Sequence, residues 1–280
     1  MKHGKSPYTT TFYLWNGVAA FFYASHLTSF HSHNTMQLVL DTHTDFRLKV
    51  KGEAWKTYKS LIIRENVVHQ LDTNDSVQLI IYLDPATGLA NAIKSKYLGE
   101  NEVCPLDLNI FHFVNANDVE QALLQADSTL LEKLVDRILA SLSLNIPLKA
   151  TDERITATEQ LISTTHPDKL SMEMLADKAC LSGSRLRALF KDATGISLYR
   201  YILWNKIRYA TNQIMAGFSV SDAAIDAGFT DSSHFHKMMV KMFGVSPSKF
   251  LKDNKEFSEV RCEESALHFE TNVYKKSEKV

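Results

Sequence analysis

The chain has 280 residues, 45% hydrophobic and 22% charged, enough for two ordered domains with separate cores and incompatible with a disordered or fibrous polymer. A formal charge of −1 and a pI near 6.8 give no global sign of nucleic-acid binding, although residues 1–125 hold 10 Lys and Arg against 12 Asp and Glu while residues 151–250 hold 12 against 10. Cys104, Cys180 and Cys262 form no CxxC pair, which excludes a disulfide framework or zinc ribbon and suits a reducing compartment. Lys2 and Lys5 precede an uncharged run, Phe12 to Ala24, but Asn16 and its thin aliphatic density argue against an export signal. With no stretch of 18 or more apolar residues, a membrane partner is not expected and a cytoplasmic location is.

The first 115 residues read as a strand-rich domain. Short apolar segments recur at Phe12 to Tyr23, Met36 to Leu40, Phe46 to Val50, Ser60 to Ile63 and Val77 to Leu83, a spacing that fits an antiparallel sandwich or barrel. Lys51-Gly52-Glu53 reads as a hairpin turn with Gly52 at positive φ. Asp84-Pro85-Ala86-Thr87-Gly88 stops the last strand, and Leu89 to Tyr97 is helical in character.

His31 and His33 stand at i and i+2 in FHSHNTMQL, and His69 follows in RENVVHQL. Two histidines at that spacing share a strand face, and a third from a facing strand completes a ligand triad. The spacing resembles the first and second motifs of the cupin barrel. It departs from them where Gln37 and Leu38 replace the glutamate of a metal-binding cupin, and where the proline and glycine before the second-motif histidine are missing. A neutral amide is a poor substitute for an anionic ligand. The expectation is therefore no metal and no cofactor, with His31, His33, Gln37 and His69 lining a small-molecule pocket; purely structural histidines are the alternative.

Residues 116–150 read as a helical connector. From Asp118 to Leu144 apolar residues recur at three- and four-residue steps, with Asp127 or Ser128 as an N-cap and Asn145-Ile146-Pro147 as the stop. The stripe must be covered, either by its own barrel or by a two-fold interface in which Leu131, Leu134 and Ile138 face a second subunit.

Residues 151–251 contain one helical pattern twice: LADKACLSGSRLRALF from Leu175 and AIDAGFTDSSHFHKMMV from Ala224. Each copy has a small residue (Ala176, Ala224), a turn residue four later (Cys180, Gly228), an apolar plug (Leu181, Phe229) and a capped second helix. This is helix-turn-helix syntax. Expected caps are Ser171 and Ser182 in the first copy, then Ser219 or Ser221 and Asp231 or Ser232 in the second. Met174, Leu175, Leu186, Leu189 and Phe190 should face inward, as should Phe235, Met238 and Phe243. The outward faces are Ser184, Arg185, Arg187, Ala188 and Lys191, and Ser233, His234, His236, Lys237 and Lys241. Ser197 to Met215 joins the copies as a helix roughly 28 Å long. It can set two recognition helices into successive major grooves, about 34 Å apart.

From about Asp152 to Leu251 the chain resembles the DNA-binding domain of the AraC/XylS family of bacterial transcription regulators. AIDAGFTDSSHFHKMMVKMFGVSPSKF carries the resemblance through Ala227-Gly228-Phe229, Ser233, Phe235, Phe243-Gly244 and Ser246-Pro247. The front half resembles the cupin-like sensor of that family more loosely, including Leu83-Asp84-Pro85. Together these imply a multidomain α+β chain: a cupin-like β-rich barrel (1–115), a helical connector (116–150), an all-α domain with two helix-turn-helix units (151–251) and a charged tail (252–280). They also imply a non-enzymatic regulator whose partners are double-stranded DNA, a small-molecule effector, RNA polymerase and a second copy of itself. A metal-dependent cupin enzyme with a helical appendage and a protein-binding scaffold are the competing readings. Met238-Met239-Val240 replaces aromatic and basic residues common in the family, so the first copy, with Arg185 and Arg187, is expected to dominate recognition.

Overall fold

In the first domain, alternating residues along 18–22, 36–40, 61–63 and 77–83 are buried on opposite faces of one sheet, so both faces are covered. The computed structural model describes residues 12–15, 17–24, 27–41, 44–74, 76–106, 128–142, 152–244 and 246–247. Strands β1 (Phe12–Trp15), β2 (Val18–Ala24), β3 (Met36–Asp41), β6 (Ser60–Ile63), β8 (Val77–Leu83) and β9 (Val103–Pro105) form a six-stranded antiparallel sheet in the order β1-β2-β8-β3-β6-β9. Strands β4 (Phe46–Val50), β5 (Lys56–Tyr58) and β7 (His69–Asp72) form a second sheet in the order β5-β4-β7. Among the described residues the strands make two packed sheets and do not close into the expected barrel. Gly52 takes φ 91° between β4 and β5, as the hairpin reading requires.

One face of the larger sheet, with Val39, Leu61, Ile63 and Ile80, packs with Phe46, Leu48 and Leu71 of the smaller one. The opposite face, with Ala20, Phe22, Leu38, Leu79 and Ile81, is covered by helix α1 (Gly88–Ile93) and by α2 (Ser128–Ser141). Helix α2 carries the connector stripe, described here from Ser128 onward; Asp127, the residues before it and the tail 252–280 lie outside the described residues. Leu131, Leu134 and Ile138 are 0%, 2% and 0% exposed, buried with the sheet residues of their own chain. Of the two covers weighed for this stripe, its own sheet is the one these three side chains have.

The second domain runs α3 (Glu153–Thr164), α4 (Met172–Lys178), α5 (Gly183–Thr194), α6 (Leu198–Met215), α7 (Val220–Asp226) and α8 (Ser232–Phe243). Its core gathers Ile155, Ile162, Leu175, Leu186, Phe190, Trp204, Ile207, Phe229, Phe235 and Phe243. Helix α6 is its axis, burying Leu198, Tyr201, Trp204, Ile207 and Ala210 along one stripe.

The domains meet at Asp84, whose side chain is fully buried. Its Oδ2 accepts hydrogen bonds from Arg200 Nε at 2.7 Å and Trp204 Nε1 at 2.9 Å, and Arg200 Nη2 also lies at 2.7 Å. Its Oδ1 accepts from the Ala86 N–H, fixing the turn into α1. Arg200 and Trp204 are four residues apart on α6 and so share a face. Removing one partner of a buried pair strands the other charge. Arg200→Ala should therefore cost about 3 kcal/mol in denaturant unfolding. Adding Asp84→Asn to that variant should restore most of the loss, because no charge is then left buried.

Candidate nucleic-acid interface

Each helix of the repeated unit begins on a side-chain cap. Ser171 Oγ accepts from Met174 N at 3.1 Å, and Ser182 Oγ accepts from Arg185 N at 3.3 Å. In the second copy Ser219 Oγ accepts from Asp222 N at 3.0 Å and Asp231 Oδ1 from His234 N at 2.7 Å. These oxygens satisfy first-turn amides that have no partner within the helix. The two tight turns use left-handed residues at equivalent places, Cys180 (φ 51°) and Gly228 (φ 75°). Cys180 is the costlier choice, since its Cβ is strained there and glycine's absence of one is not. Lys206 of α6 braces the second turn by donating to Gly228 O at 2.7 Å.

On α5 the buried side chains are Leu186 and Phe190, while Leu189 is half-buried; Ser184, Arg185, Arg187, Ala188 and Lys191 are exposed as expected. On α8, Phe235, Met239, Met242 and Phe243 are buried, and Ser233, His236, Lys237 and Lys241 are exposed. Three expectations need correcting. Met174 is 38% exposed rather than core, and Met238 is only half-buried because Met239, four residues after Phe235, takes the inner position. His234 is half-buried with its ring edge-on to Phe229 at 5.4 Å, so it acts as packing at the turn.

Both second helices end in left-handed glycines that rest against the first domain. A Cβ on Gly195 (φ 77°) would come to 3.0 Å from Ala86 O and Gly88 N. On Gly244 (φ 71°) it would come to 2.6 Å from His31 Cδ2 and 3.4 Å from His33 Cδ2. The last carbonyls of α8 are capped from the first domain: Asn34 N donates to Lys241 O at 2.8 Å, Thr35 Oγ1 to Met242 O at 2.5 Å and Tyr82 Oη to Phe243 O at 3.0 Å. No local pattern marks this docking, which pairs residues more than 160 positions apart.

The four candidate pocket residues do come together, at this same joint. The backbones of His31 and His69 exchange hydrogen bonds in an isolated bridge, and the ring of His33 lies 5.3 Å from that of His69. His33 and Gln37 are almost fully buried, with His33 Nε2 2.7 Å from Gln37 Oε1. Burial pushes the imidazolium pKa of His33 down to about 4 and that of His69 to about 3, so both rings are neutral near pH 7.

Gly52 also has a positive φ, but open space surrounds the place where its Cβ would go. Gly52→Ala therefore carries the backbone penalty alone, about 1 kcal/mol. Gly244→Ala should lose at least about 1 kcal/mol more in the same unfolding measurement, the difference being the clash with His31.

Residues 175–253 match the family described as helix-turn-helix domain. The Msm operon regulatory protein of Streptococcus mutans is 30% identical over 127 residues, 42% of this chain and 45% of that protein, so less than half of that relative is spanned. The transcriptional activator RhaS of Escherichia fergusonii is 23% identical over 246 residues, 78% of this chain and 85% of that protein. Among solved structures, unsaturated fatty acid bound ToxT of Vibrio cholerae aligns at 13% identity with a TM-score of 0.47, covering 90% of this chain and 99% of that one. Among the described residues no helix is long and apolar enough to cross a membrane.

Proposed function

The chain belongs, through its helix-turn-helix domain, to the AraC/XylS family of DNA-binding transcription regulators, and on that premise we propose that it reads two neighbouring major-groove segments of one duplex with α5 and α8. The observation that carries this reading is the pair of equivalently capped helices, each with an exposed polar and cationic face, one before and one after α6 in the chain. Helix α6 has 18 residues, roughly 27 Å of rise at about 1.5 Å each. Adding the width of the units spans the ~34 Å between successive major-groove faces. One polypeptide then does the work of a helix-turn-helix dimer.

Within this reading Arg185 and Arg187 are the donors suited to guanine edges or phosphates, since a guanidinium presents a fixed fork of N–H groups. Ser184, Ala188 and Lys191 complete that face, and Ser233, His236, Lys237 and Lys241 form the weaker second face. The two heads contribute unequally: α5 has three strong cations on its outward face, whereas α8 has two lysines beside histidine and serine. We further read the first domain as the effector-responsive part and the chain as a cytoplasmic binding protein, not an enzyme. RNA polymerase is a further proposed partner, as the family resemblance implies.

The test uses duplexes selected from a random pool by the full chain. Arg187→Ala should weaken binding to the selected duplex by about 1–3 kcal/mol and relax preference at one base position. Lys237→Ala should weaken all sequences alike and lower the slope of log affinity against log salt by about one. Unchanged affinity and unchanged base preference in Arg187→Ala would overturn the assignment.

A further inference from the structure

The three histidines at the joint are arranged for more than packing. Their ring nitrogens lie within 4.8 Å of one another, one ligand atom from each residue. Each ring gives its Nδ1–H to a backbone carbonyl two residues away: His31 to Ser29 O at 2.9 Å, His33 to Thr35 O at 2.8 Å and His69 to Val67 O at 3.0 Å. A carbonyl oxygen only accepts, so His31 and His69 are held in the tautomer that carries its lone pair on Nε2; His33, whose Nε2 also meets the Gln37 amide, takes the same form when that amide is turned to donate to it. This is the arrangement in which a histidine is oriented and made more basic for coordination. His69 is 0% exposed, and among the described residues its Nε2 has no hydrogen-bond partner. A buried acceptor left unsatisfied is destabilising, and a ligand at that lone pair removes the cost.

We propose that His31, His33 and His69 bind a late first-row divalent cation such as zinc, and that its binding fixes the seat of the C-terminal end of α8. Three neutral imidazoles select zinc, cobalt, nickel or copper over magnesium and calcium, which take oxygen ligands. Coordination of His33 exchanges its contact with Gln37 for a metal bond, and Gln37 remains beside the site as a neutral oxygen donor. The coupling to α8 has two physical sources. His31 and His33 touch Gly244, and the turn between the two histidines and β3 supplies the Asn34 and Thr35 donors that cap Lys241 and Met242. A dipositive ion here also sits at the negative end of the α8 dipole, where positive charge is favoured. The site therefore rests on its own geometry, and only its consequence for DNA rests on the regulator reading.

The test titrates the chelator-treated full chain with cobalt(II), followed by absorption, and with zinc(II), followed by calorimetry. One equivalent per chain should bind, with magnesium and calcium giving no heat. His69→Gln and the half-exposed His31→Gln should each weaken binding at least tenfold; the second variant guards against a folding defect in the first. Zinc should slow amide exchange in the last turn of α8 several-fold in the parent chain and leave it unchanged in His31→Gln. It should also change affinity for a duplex selected by the metal-free chain. Absence of histidine-dependent stoichiometric binding overturns the site; binding that leaves exchange at the end of α8 unchanged overturns the coupling. Failure to select any duplex counts against the regulator reading and leaves the metal and exchange results decisive for the site.

Discussion

A single buried carboxylate ties the sheet domain to the helical domain. Asp84 ends β8, and its two oxygens are shared between the turn into α1 and the Arg200–Trp204 face of α6. Burying such a charge is costly unless several donors meet it. That requirement makes the contact specific: no other placement of α6 delivers a guanidinium and an indole N–H to the same oxygen. Because α6 is also the rod between the two helix-turn-helix units, the orientation of both units relative to the sheets follows from this one site.

Helices α5 and α8 are then tied down at their far ends. Gly195 closes α5 against the 86–88 turn, and Gly244 closes α8 against His31 and His33. Only glycine fits, because each position needs both a left-handed backbone and a neighbour within 3.0 Å of where a Cβ would stand. Events in the sheet domain thus have a short physical route to α5 and α8, the helices proposed to face DNA. For α8 that route consists of three donors on three carbonyls, whose geometry cannot change without moving the helix end.

What the sequence made legible follows from how local each signal is. The helix-turn-helix units were readable because caps, turns and apolar spacing all lie within about 20 residues of each other. Strands β3, β4, β6 and β8 were readable from their apolar runs, whereas β5, β7 and β9, short and without such a run, showed no pattern. The two-sheet arrangement in place of a barrel depends on pairings between distant strands, which periodicity does not encode. The α2 stripe announced that Leu131, Leu134 and Ile138 needed cover without saying whose. His31, His33 and His69 could be singled out by type and spacing, but the contact of His31 and His33 with Gly244 and the Asp84 joint join segments over 100 residues apart. For the joint one signal was present: Arg200 and Trp204 place two polar tips at i and i+4 on an otherwise apolar helix face.

The central claim is that one rigid chain places two heads in successive grooves on one side of a duplex. Hydroxyl-radical footprinting of the full chain on a selected duplex tests it most directly. The account predicts two protected patches about one helical turn apart on the same face, with the α5 patch the stronger. A single patch, or two patches on opposite faces, would contradict it.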